Sequence, residues 1–155
     1  MIRTLLISFI FISTNVISSD DNQTIKYIFS TNNTNQLVMD IEAALARAQS
    51  SQGIIPEWAA NEITAKADVK YMPQVEINKE NELVRHRLVS RLNVWKKSLD
   101  LGAEEYLHFG ATTVDIFDTV LVLQVKQSID ILLESLLDIE SQLLALTKNH
   151  IDTYM

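Results

Sequence analysis

Apolar residues recur at helical spacing along most of the chain. Leu37, Val38, Ile41, Ala44, Leu45 and Ala48 fall on one face of a helix predicted from Thr34 to Gln52. Gly53 is placed to end it as a left-handed C-terminal residue. Pro56 suits the first position of a second helix running to Lys66, with Trp58 and Ile63 as its larger apolar anchors. The polar stretch 20–30 and the segment 68–78 around Pro73 read as irregular. A third helix is predicted over Lys79–Leu99, with Leu88, Leu92, Trp95 and Leu99 on its core face and Gly102 beyond its end. A short turn over Ala103–Leu107 follows. The last helix is the longest, because Val114–Asn149 contains neither glycine nor proline.

That final segment carries a heptad-like seam. Val122, Val125, Ile129, Leu132, Leu136, Ile139, Leu143 and Leu146 alternate at spacings of three and four, and Leu121, Leu133, Leu137 and Leu144 widen the stripe. Such a helix reaches roughly 50 Å, whereas a compact domain of this length has a radius of gyration of about 15 Å. The helix must overhang its own domain, and its apolar face calls for other helices to cover it. The fold class is therefore all-α. It divides into an apolar leader over 1–19, a small helical domain over 20–110 and a long bundle helix over 111–155.

Composition removes several function classes. The chain has 155 residues, three glycines and two prolines, which suits long uninterrupted helices around one modest core. A net charge of −7 argues against nucleic acid as partner, though not against a small anion held in a local field. With no cysteine, thiol catalysis, thiolate metal sites and disulfides are excluded within the chain. The three histidines are scattered at 86, 108 and 150, so no metal site is expected. No phosphate loop, dinucleotide fingerprint or nucleophilic triad motif is present, and no cofactor is expected.

The first nineteen residues join a short basic start, Met1-Ile2-Arg3, to an apolar run from Leu5 to Ile17. That is the layout of a secretory signal peptide, too short for a stable membrane span. Asn22-Gln23-Thr24 and Asn32-Asn33-Thr34 are sequons that suit a secreted chain. A spurious upstream extension or a buried apolar strand are the alternatives, and with them a cytoplasmic location.

The densest chemistry lies in His108-Phe109-Gly110-Ala111-Thr112-Thr113-Val114-Asp115-Ile116-Phe117-Asp118-Thr119. A glycine turn and paired hydroxyls at the start of a long helix present backbone N–H groups and the positive end of the dipole to an anion. The plainer reading makes Thr112 or Thr113 an N-cap and gives Asp115 and Asp118 the task of countering the dipole. His108 reads as a packed histidine in preference to a site wall. Arg85-His86-Arg87 combines a group that titrates near neutral pH with two fixed cations, a second place for a carboxylate.

These segments resemble, in order, the fumarase/aspartase superfamily, in its adenylosuccinate lyase and 3-carboxy-cis,cis-muconate cycloisomerase branch. The stretch 108–119 is similar to that family's His-x-Gly-Ala-Thr-Ser-x-Asp-Ile-x-Asp-Thr. Asp40-Ile41-Glu42-Ala43-Ala44-Leu45-Ala46-Arg47-Ala48-Gln49 resembles its first helix, Gly53-Ile54-Ile55-Pro56 the turn after it, and Arg85-His86-Arg87-Leu88-Val89 its histidine-bearing segment. The resemblance runs from about Ile28 to Met155. It implies a fumarate-releasing anti β-elimination or the related cycloisomerisation, a dicarboxylate-type substrate, and a homotetramer whose active sites draw on three subunits. Arg85, His86, Thr112, Thr113 and Asp115 would bind substrate, with His86 as the candidate catalytic group. Relatives with adenylosuccinate lyase activity show aspartate where this chain has Arg87. The family's general-acid histidine segment and its serine-base loop have no counterpart here. The resemblance therefore implies the N-terminal portion of such an enzyme, inactive alone, or else a truncated paralogue acting as a helical assembly or binding module, on its own or with a full-length relative.

Overall fold

A computed structural model describes residues 24–100 and 102–154. Among them are six α-helices: α1 (Ile25–Ile28), α2 (Thr31–Ser51), α3 (Glu57–Ala65), α4 (Gln74–Val84), α5 (Arg87–Lys96) and α6 (Thr113–Asn149). The leader and the Asn22 sequon lie outside the described residues. No helix among the described residues is long and apolar enough to cross a membrane.

Helices α2, α3 and α5 enclose one core in which Val38, Ala59, Ile63, Leu88 and Trp95 are fully buried. The predicted core face of α5 is observed, since Leu88, Leu92 and Trp95 are buried, as is Leu99 just beyond its end. Trp58 is not the anchor expected. It is 48% exposed and meets Tyr106 edge to face at 5.9 Å. Gly53 takes the expected left-handed conformation, with φ +70°.

Three expectations need correction. The stretch 20–30 is not wholly irregular, because Thr24 caps the single turn α1. The segment 68–78 is not a loop. A 3-10 turn at Val69–Tyr71 leads to Pro73, which stands at the N-cap of α4. Finally, the predicted helix over 79–99 is two helices that fold back on one another. Arg85 adopts a left-handed conformation (φ 50°, ψ 36°), and His86 caps α5 by accepting from the Val89 N–H at its Nδ1, 3.2 Å away. Neither glycine nor proline marks the break. It exists because reversal lets α4 bury Ile77 against α5 and lets Asn93 donate to Glu80 at 2.8 Å.

The buried face of α2 includes Leu37 and Val38 as expected but is turned away from the rest of the predicted stripe. Ala44 and Ala48 are exposed, whereas Asn35, Val38, Met39, Glu42, Ala43 and Ala46 are buried. Two of these are polar, so a scan for apolar residues alone selects the neighbouring stripe.

Only the first turns of α6 are packed. Ile116, Val120 and Gln124 are its buried residues. Gln124 ties α6 to the N-terminal turns by donating to the Ile28 carbonyl at 2.8 Å and to Thr34 Oγ1 at 3.0 Å. Beyond that point the helix continues unbroken with its apolar seam uncovered.

Candidate functional site

The approach to α6 is a chain of left-handed residues, His108 (φ 63°) and Gly110 (φ 69°), which swing the backbone into the helix start. Gln49 of α2 fixes this turn by donating to the Phe109 carbonyl at 2.6 Å. A capping box closes the helix N-terminus, in which the Thr112 N–H donates to Asp115 Oδ2 at 2.9 Å. The reciprocal approach of the Thr112 hydroxyl to the Asp115 N–H is the looser half. Asp115 therefore occupies one backbone donor of the anion cradle. Thr113, half-buried, makes no side-chain hydrogen bond among the described residues, and Thr112 is exposed. The cradle is thus partly capped by its own acid, with the second hydroxyl left over.

The turn between α4 and α5 comes to the same end of α6. The Arg87 guanidinium lies 4.6 Å from the centre of the Phe117 ring, and that of Arg91 lies 5.8 Å away. Thr113 is one turn before Phe117 on the same helix face. Arg91 is oriented by Nε donating to Asn35 Oδ1 at 2.8 Å and by a 2.7 Å bond to the Arg87 carbonyl. Burial, and then the neighbouring Arg87, pull Arg91 below the usual arginine range. Neither arginine is ion-paired with a carboxylate among the described residues, although the chain carries 20 acids. Two like charges over one aromatic ring without a counter-ion favour an incoming anion.

Of the residues singled out in the sequence, Arg85 is exposed at the hairpin turn and its side chain makes no hydrogen bond or ion pair among the described residues. His86 is exposed, with Nδ1 spent on its cap, so Nε2 is the ring nitrogen left to meet a ligand. His108 is held by Glu42, whose Oε1 lies 2.6 Å from its Nδ1.

Sequence reading named Arg87 only as a cation flanking His86, and it passed over Glu42, Arg91 and Gln49. A signal for two of them was available. Asn35, Glu42 and Gln49 lie seven residues apart along one side of α2, and each bonds a residue from another segment. A polar residue every second turn in an otherwise apolar stripe marks such a spine.

Glu42 is only 1% exposed. Burial pushes its carboxyl above the ordinary value, while His108 and, less strongly, Lys96 pull it down. An acid whose pKa rises on folding holds its proton more tightly in the native state. Stability therefore falls as pH climbs from the ordinary carboxylate range through the raised native value. Glu42→Gln keeps the shape and the hydrogen bond without the charge. It is expected to flatten that fall, measured as the urea midpoint against pH.

The sequence matches a family described as lyase over residues 18–155. It is 34% identical over 123 residues to the adenylosuccinate lyase of Methanocaldococcus jannaschii, covering 79% of this chain and 27% of that protein. In structure it resembles a fumarate lyase from Mesorhizobium sp. BNC1, with a TM-score of 0.73 and 33% identity over 81% of this chain and 29% of that one. It also resembles the 3-carboxy-cis,cis-muconate lactonizing enzyme of Pseudomonas putida, with a TM-score of 0.64 and 32% identity over 70% of this chain and 25% of that one. The chain thus spans between a quarter and three tenths of the length of these proteins.

Proposed function

Because the chain belongs to the lyase family, within the fumarase/aspartase superfamily, we propose that it forms the carboxylate-holding part of an adenylosuccinate lyase-like or carboxymuconate cycloisomerase-like enzyme. The reaction is anti β-elimination with release of fumarate, or the related cycloisomerisation. In either, a base removes a proton beside a carboxylate, and the carboxylate takes up the developing negative charge. The α6 N-terminus, the Thr112 and Thr113 hydroxyls and the Arg87 guanidinium stabilise that charge, and His86 assists at the same edge. The base comes from elsewhere in the assembled enzyme. Residues 20–110 are the small helical domain and 111–155 the first long helix of a bundle, in a homotetramer or in co-assembly with a full-length relative.

The observation that carries this reading is the unpaired Arg87 over Phe117, one turn from Thr113 at a helix N-terminus. Fumarate titrated into the labelled chain is expected to shift the amide signals of residues 110–114. Thr113→Val and Arg87→Gln should each weaken binding by roughly 10- to 100-fold, the range for a lost hydrogen bond to a charged group. Binding that ignores both substitutions, or no binding to the wild type, sinks the proposal. The 155-residue chain alone is expected to release no fumarate.

The uncovered seam of α6 favours a second reading, a helical assembly module without turnover of its own. Mixing with a full-length relative separates the two. Activity gained over the relative alone supports the enzymatic reading, and inert co-assembly supports the other.

A further inference from the structure

Glu42 and His108 lie 66 positions apart in sequence, yet their side chains meet at 2.6 Å. The carboxylate is fully buried within α2, while the imidazole side chain is 19% exposed. One ring nitrogen is thus locked inside the protein and the ring reaches the surface. The lock is not required by backbone geometry. His108 sits in a left-handed conformation, uncommon for residues other than glycine though histidine is among those that adopt it more readily. The other carboxylate oxygen, Oε2, is buried without a hydrogen-bond partner. An apolar residue would fill the same space without that penalty. A buried acid with one oxygen unsatisfied and the other on an imidazole is a costly way to pack a helix, and it suits a task other than packing.

We propose that Glu42 is a positioning residue that holds His108 in the tautomer protonated on Nδ1, leaving Nε2 as a bare nitrogen at the turn leading into α6. The hydrogen bond made by one ring nitrogen decides the state of the other. An ionised carboxylate can only accept, so the Nδ1–H donates to Oε1 and the Nε2 lone pair is available to a proton on a bound molecule. With Nε2 also protonated, the same ring becomes a donor to an anion. Lys96 is the other charged group acting on Glu42. The role at a ligand rests on the carboxylate-site reading, but the tautomer does not.

The three histidines can be assigned by substituting His86 and His150 in a histidine-labelled chain. Long-range proton–nitrogen correlation is expected to show neutral His108 with a protonated Nδ1 and an unprotonated Nε2. Glu42→Gln, which offers the ring both a donor and an acceptor, should give a mixture of tautomers. Glu42→Asp, one methylene shorter, should loosen the ring while keeping the charge. A wild-type His108 carrying its proton on Nε2, or a Glu42→Gln spectrum identical to wild type, overturns the assignment. Circular dichroism identifies any variant that has failed to fold, and the wild-type spectrum tests the tautomer without one. Fumarate is then added to the wild type. A shift at Nε2 supports a ligand-facing role for the dyad. A fixed tautomer with no shift at Nε2 keeps Glu42 as positioning residue and removes the ligand-facing role of His108, whereas silence of the 110–114 amides is what sinks the carboxylate-site reading.

Discussion

Replacing Leu132, Leu136 and Leu143 together with lysine should leave α6 helical but abolish self-association. All three lie on the seam and are 55%, 59% and 57% exposed, in a stripe whose other members, from Val122 to Leu146, are also open. Burying one such side chain fully is worth about 1.5–3 kcal/mol. About half of that remains to be gained at each position, and a charge in an apolar seam opposes association further. Three substitutions together should weaken assembly by roughly 3 kcal/mol or more per chain, over a hundredfold in affinity. Lysine is nearly as good a helix former as leucine, so helicity should persist. Sedimentation velocity across a concentration series checks this. A wild-type chain that stays monomeric throughout refutes the bundle reading of α6, whatever the variant does.

The second large effect is on folding. Trp95→Ala is expected to cost about 3–5 kcal/mol, against total stabilities of about 5–15 kcal/mol for ordinary domains. Trp95 is fully buried at the centre of the core, on the helix whose first turn carries Arg87. Losing it should therefore disperse the Arg87–Phe117 contact as well as the core. Trp95→Phe is expected to cost much less. The indole Nε1 is buried with no hydrogen-bond partner, and removing that group recovers part of the lost packing. Urea unfolding followed by circular dichroism distinguishes them. A loss for phenylalanine as large as that for alanine would refute this account of the unpaired indole nitrogen.

Much of this molecule is readable from local patterns, because those patterns report local physics. The absence of helix breakers after Val114 dictates a long helix, and α6 runs unbroken to Asn149. The spacing of Leu88, Leu92 and Trp95 dictates the buried face of α5. Gly53 ends α2 because only glycine adopts its conformation without cost. The cluster at 108–115 identifies a helix start rich in hydroxyls, and the ordered motifs point to the lyase family.

Other features are decided by contacts between distant segments, which spacing does not encode. The break at Arg85–His86 carries no breaker residue. It forms because α4 and α5 gain more by packing against each other than one straight helix gains by continuing, and a histidine supplies the cap. The buried stripe of α2 includes Asn35 and Glu42, which an apolar periodicity excludes. They are tolerated inside only because Arg91, Gln74 and His108 arrive from elsewhere to meet them. The sequence offers Arg87 as a cation beside His86, but only the fold brings Phe117 of α6 beneath it. Helix type and helix length follow from neighbours along the chain, whereas the pairing of buried polar groups depends on which helices come together.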